Sequence, residues 1–140
     1  MTRFLVLLLA CGLAVLALSA AAPPGAPPTA ADQPAAGKVP KDTCLKPCLD
    51  CQGECLTCMK HCREMKMEAL AKECEVCHHC CYMCYHAVGG KTVRAWEICE
   101  LCEKVCNDCA AACEKSTDPQ VKKCAESCKT CAKACAEARK

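Results

Sequence analysis

CLKPCLDCQGECLTCMKHC, residues 44–62, contains six cysteines, Cys44, Cys48, Cys51, Cys55, Cys58 and Cys62, separated by steps of 4, 3, 4, 3 and 4. Alternating steps of three and four are the a and d positions of a heptad, so every one of these cysteines falls on one face of a helix. In an ordinary bundle Leu and Ile fill that face. The rhythm returns as 3, 4, 3, 4 in Cys99, Cys102, Cys106, Cys109 and Cys113, and as 4, 3, 4 in Cys124, Cys128, Cys131 and Cys135. Between these runs Cys74, Cys77, Cys81 and Cys84 keep the spacing, and Cys80 stands beside the stripe.

Four stripes predict four helices, and the residues between them mark most of the turns. Gly89-Gly90 followed by Thr92 reads as a helix stop and a new N-cap, and Asp118-Pro119 as an N-cap with proline at the first helical position. The first reversal has neither Gly nor Pro. It is placed at Met65 to Glu68 because the step from Cys62 to Cys74 is 12, where a continuous stripe would give 11 or 14. Short connections make successive helices antiparallel neighbours. The expected fold is all-α, an antiparallel four-helix bundle over residues 41–140 with a cysteine-lined core.

The residues before this unit differ in composition. Arg3, an apolar run from Phe4 to Leu18, and the small residues Ser19, Ala20 and Ala21 form a secretory signal peptide, residues 1–21, of the Sec type because no twin arginine is present. The run falls short of the roughly 20 apolar residues that span a bilayer. Export, in the first instance to a periplasm, and no membrane attachment after cleavage are therefore expected. Residues 22–40, with Pro23, Pro24, Pro27, Pro28, Pro34 and Pro40, read as an Ala/Pro-rich disordered linker.

Composition narrows the function. Charge is balanced, 18 basic residues against 16 acidic, which leaves no electrostatic footprint for nucleic acid. Cysteine accounts for 21 of 140 residues, against one Trp, two Tyr and one Phe. Such a count signals a disulfide or metal scaffold. With Cys11 removed in the signal, 20 cysteines remain. They divide into nine C-x-x-x-C pairs, with Cys74 and Cys99 left over. Cβ atoms at i and i+4 on a helix lie about 5–6 Å apart, too far for the roughly 3.5–4.5 Å of a disulfide. A metal between the two sulfurs removes that conflict. Cu(I) is soft and accepts two thiolates, whereas Zn(II) requires a tetrahedron that one helix face does not close. Twenty buried thiolates also need counterions, and one Cu(I) per thiolate neutralises them. So many sites point to storage of multiple Cu(I) ions. Catalysis is not expected, because nothing singles out one activated cysteine, even with His78, His79 and His86 nearby.

These stripes, and above all Cys124-Ala-Glu-Ser-Cys128-Lys-Thr-Cys131-Ala-Lys-Ala-Cys135, resemble the Cys-lined four-helix copper storage proteins of bacteria over Cys44 to Lys140. The resemblance implies Cu(I) held mainly by two thiolates, a mouth with His and Met ligands at one bundle end, and a homo-oligomer, frequently a tetramer. His61, Met65 and Met67 are the candidates for that mouth. The crowded stretch Cys77-His78-His79-Cys80-Cys81 departs from the family pattern. Competing readings are a disulfide-stapled secreted protein, a zinc- or cadmium-sequestering thiolate protein, and an iron–sulfur protein. The last rests on Cys74, Cys77, Cys80 and Cys84 in ferredoxin-like spacing, with Tyr85 where proline would stand.

Overall fold

The computed structural model describes residues 38–140; the signal peptide and all but the last three residues of the linker lie outside them. A 3-10 turn at Asp42–Cys44 leads into α1 (Leu45–Glu64), followed by α2 (Glu68–Gly89), α3 (Ala95–Glu114) and α4 (Pro119–Ala138). Each helix packs on its neighbours in the chain, and α4 closes back on α1; across the α2/α4 diagonal the helices meet through sulfur, Cys77 with Cys128 at 3.8 Å and Cys81 with Cys131 at 3.9 Å. Sulfur contacts give the directions. Cys48, Cys51 and Cys55 of α1 meet Cys135, Cys128 and Cys124 of α4, and Cys74, Cys77 and Cys81 of α2 meet Cys113, Cys106 and Cys102 of α3. Rising numbers against falling ones make the bundle antiparallel, as the short connections predicted.

The unmarked first reversal lies where the break in cysteine spacing put it. Its closure is a Schellman motif in which Met67 N–H donates to Cys62 C=O at 2.8 Å and Lys66 N–H to Arg63 C=O at 3.1 Å. Lys66 occupies the left-handed position that glycine usually takes, with φ 58°. The second turn repeats this device and corrects the expectation for it. Gly89 ends α2 and Gly90 caps it, and both keep ordinary backbone; the left-handed residue is Lys91, φ 49°. Gly90 answers a different need, since a Cβ there would lie 2.9 Å from His86 C=O. Thr92 is not the N-cap of α3. Its N–H closes the α2 motif on Ala87 C=O, and Arg94 precedes the first helical residue. The third turn is as predicted: Asp118 caps α4 by accepting from Gln120 N–H at 2.8 Å and Val121 N–H at 3.2 Å, with Pro119 at the first position.

Packing begins slightly before the 3-10 turn. Pro40 is buried, Lys41 N–H donates to Ala138 C=O at 2.8 Å, and Lys38 lies over the Trp96 ring. Outside the core, ion pairs link adjacent helices: Arg63 to Glu75, Lys123 to Glu54, Lys129 to Glu114 and Arg139 to Glu103. Lys122, Lys123, Lys129 and Lys133 form the solvated face of α4. No described helix is long and apolar enough to cross a membrane.

Candidate metal centre

Every cysteine from Cys44 to Cys135 is buried and carries a free thiol. No other residue type contributes comparably to the interior. The remaining buried apolar side chains are Met59, Val88, Val121, Pro40 and a few alanines, with Val88 and Val121 fully covered at opposite ends of the bundle. Cysteine packs as a small apolar residue, so these positions hold the helices together while presenting sulfur throughout.

The sulfurs form a continuous array. Neighbouring Sγ atoms lie between 3.5 Å (Cys81–Cys106) and 4.0 Å (Cys74–Cys113) apart, which is contact without a bond. Three of the helical pairs expected from sequence are close, Cys51–Cys55 and Cys58–Cys62 at 3.8 Å and Cys102–Cys106 at 3.9 Å. Contacts between helices are as close: Cys55–Cys128 is 3.6 Å, Cys51–Cys128 and Cys48–Cys131 are 3.7 Å. The sulfurs therefore gather in fours. Cys44, Cys48, Cys84 and Cys135 form one group near one end; Cys51, Cys77, Cys81 and Cys106, and Cys55, Cys109, Cys124 and Cys128, form others farther along, all with sulfurs within 4.8 Å of one another. Cys74 and Cys99, unpaired in sequence, join through Cys113 and through a contact with Cys135 C=O at 3.6 Å. Cys80, off the stripe, faces Cys102 of α3.

This geometry revises one step of the sequence argument. A single helix face does not close a tetrahedron, but several faces together do. Four sulfurs around zinc at about 2.3 Å would be about 3.8 Å apart, within the spread seen here. Distance alone leaves both Cu(I) and Zn(II) as occupants.

Neighbouring sulfurs and burial together set the charge of the core, and at Cys62 and Cys80 both raise the thiol. Desolvation, and then the charge of nearby Cys58, push the Cys62 thiol up to about 12. Cys102 beside it, and burial, hold the Cys80 thiol above its ordinary range. Such thiols keep their protons until a cation replaces them, so filling the core releases protons.

The three mouth candidates share the end where α1 finishes and α4 begins, but they do not converge. His61 Nε2 is 2.9 Å from Asp118 Oδ2. That contact raises the His61 pKa and lowers that of Asp118. Met65 is 58% exposed. Met67 packs partly against the core and lines a surface hollow of about 370 Å³ with Leu70, Ala112 and Ser116. Among the other histidines, His78 ties α2 to α1 through Nδ1 and Gln52 C=O at 3.0 Å. Sequence spacing gave no sign of that bond, since Gln52 contributes only its backbone.

A bundle of four helices that gathers twenty reduced thiols in one dry interior defines a thiolate metal-storage protein. The family model for copper storage proteins, Csp, matches residues 38–140, and the chain belongs to that family. Its fold is similar to that of a Cu(I)-bound copper storage protein, BsCsp3, with TM-score 0.67 and 26% identity over 71% of this chain and 97% of that one. It is equally similar to the apo form of copper storage protein 3 from Bacillus subtilis, with TM-score 0.67 and 27% identity over 71% and 98% of the two chains. No curated protein matches the sequence.

Proposed function

We propose that this chain stores Cu(I) on the thiolates of Cys44 through Cys135, with many ions per molecule, and that it acts by sequestering copper rather than by catalysis. Twenty buried, unbridged thiols in one continuous sulfur array carry this reading. Family membership and the Cu(I)-bound relative support the identity of the metal. Charge supports it further: one Cu(I) per thiolate neutralises the core, whereas zinc ions each held by four unshared thiolates would leave half of the negative charge buried without a counterion. Pairs that share no ligand would hold about ten ions, and thiolates that each bridge two would hold about twenty. Titration of oxygen-free, reduced protein with Cu(I) against a strong chelator tests this. Storage requires about twenty free thiols and uptake of roughly ten or more ions; a single bound ion per chain would refute it.

The sulfur quartets favour one second reading, sequestration of zinc or cadmium, because their spacing suits a tetrahedral ion. Metal content of the chain isolated from metal-replete cells separates the two: copper storage predicts Cu(I) in the core, and the second reading predicts Zn(II) or Cd(II).

Export, His61, Met65 and Met67 as a mouth, and a homo-oligomeric state complete the proposal. The Arg3 to Ala21 segment supports export, and a secreted product beginning at Ala22 is the expected result of N-terminal sequencing. The shared position of the three mouth residues at one bundle end supports the second point. Sedimentation of the metal-free chain tests the third.

A further inference from the structure

The face of α2 that points away from the core carries an unusual set of side chains. His79, Met83 and His86 follow one another at i, i+4 and i+7, and all three are exposed. Residues three and four apart on a helix are neighbours, so Met83 has one imidazole a turn before it and another a turn after. Met83 is 47% exposed, a high value for a flexible apolar side chain that could have been buried. Neither imidazole forms a hydrogen bond or ion pair among the described residues. His79 only meets the His78 ring edge-on at 4.9 Å, and His86 sits against Tyr82 at 4.4 Å and Tyr85 at 5.2 Å. The stripe also lies beside the least covered core thiol. Cys80 retains 3% exposure while nearly all the others have none. It precedes Met83 by one turn and faces Cys102 of α3.

We propose that His79, Met83 and His86 form an external Cu(I) site on the flank of the bundle, which captures incoming copper and passes it inward through Cys80. The inference rests on the storage reading of the core. A thioether with imidazole suits Cu(I) and excludes hard cations. Such neutral ligands hold copper less tightly than a thiolate pair, which gives transfer its direction. The step is a ligand exchange: copper leaves the Met83 thioether and the imidazoles of His79 and His86, bonds to the sulfurs of Cys80 and Cys102, and two thiol protons go to water. Copper remains Cu(I), so no oxidant or reductant is needed. The route is separate from the His61 end of the bundle.

Stopped-flow uptake of Cu(I), supplied as its acetonitrile complex to reduced full-length protein, tests the site. The variant combining His79→Ala, Met83→Leu and His86→Ala changes only exposed positions. It is expected to fill the core to the same extent but to load it roughly tenfold more slowly, because copper is no longer concentrated beside Cys80. In wild-type protein whose core is already filled, further Cu(I) is expected to shift the Met83 methyl resonance together with ring signals of His79 and His86. A variant that fills normally and as fast as wild type, or a Met83 methyl that does not move, overturns this inference and leaves core storage intact. Wild-type protein that takes up only a single ion overturns both.

Discussion

His61 and Asp118 show how one contact can join two turns that sequence treats separately. The imidazole ends α1 and the carboxylate begins α4, at 2.9 Å. The pair raises the pKa of His61, so its contribution to stability is present below the unfolded imidazole value and is lost as pH rises through the folded one. The Asp118 pKa is lowered, so its contribution is lost as pH falls through the folded carboxylate value. Asp118→Asn is therefore expected to bring the His61 pKa down in metal-free protein, as followed by the ring proton shifts, and to flatten the dependence of stability on pH between those limits. Lys66 provides a second test. A left-handed conformation is costly for any residue with a Cβ, and Lys66→Gly is expected to stabilise the metal-free, reduced chain by about 1 kcal/mol, part of the relief being offset by glycine's greater freedom when unfolded. Denaturant midpoints report this directly.

Among the elements, the helices were legible from spacing because a cysteine at every a and d position leaves the period no ambiguity. The first reversal was legible from a break in that period alone. Thr92, one residue beyond two glycines, matches the pattern of an N-cap, whereas the α2 end needs its N–H to reach Ala87 C=O. Contacts across helices were not legible, since spacing within one helix says nothing of the height at which two helices meet. Cys128 shows the consequence: its sulfur touches Cys51, Cys55 and Cys77, members of two other helices. Cys128→Ala is thus expected to lower copper capacity by about two ions rather than one, because bridging sulfurs serve neighbouring sites. Anaerobic titration of the variant beside wild type gives the count.

For the molecule as a whole, the apo and filled states differ in what fills the interior. Ions that bind only the folded chain raise its stability by mass action, and the thermal midpoint is expected to rise stepwise with added Cu(I) in calorimetry. Without metal, sulfurs of different helices already touch. Mild oxidant is expected to link Cys81 to Cys106, the closest pair at 3.5 Å, with loss of capacity that a reductant restores; mass mapping of the oxidised chain identifies the link. The core that makes storage possible also lacks any internal address. When one residue type occupies nearly every inward position, sliding a helix by two turns sets cysteine against cysteine again, and the sulfur array by itself does not oppose the slip. Val88 at one end, Val121 at the other, the tight turns at Lys66 and Lys91, and polar ties between helices such as His61–Asp118 and His78–Gln52 are what distinguish the true register from its translated copies. The same degeneracy makes the architecture extensible: lengthening all four helices by seven residues would add another storey of sulfur between the same two valines, and capacity would grow with height.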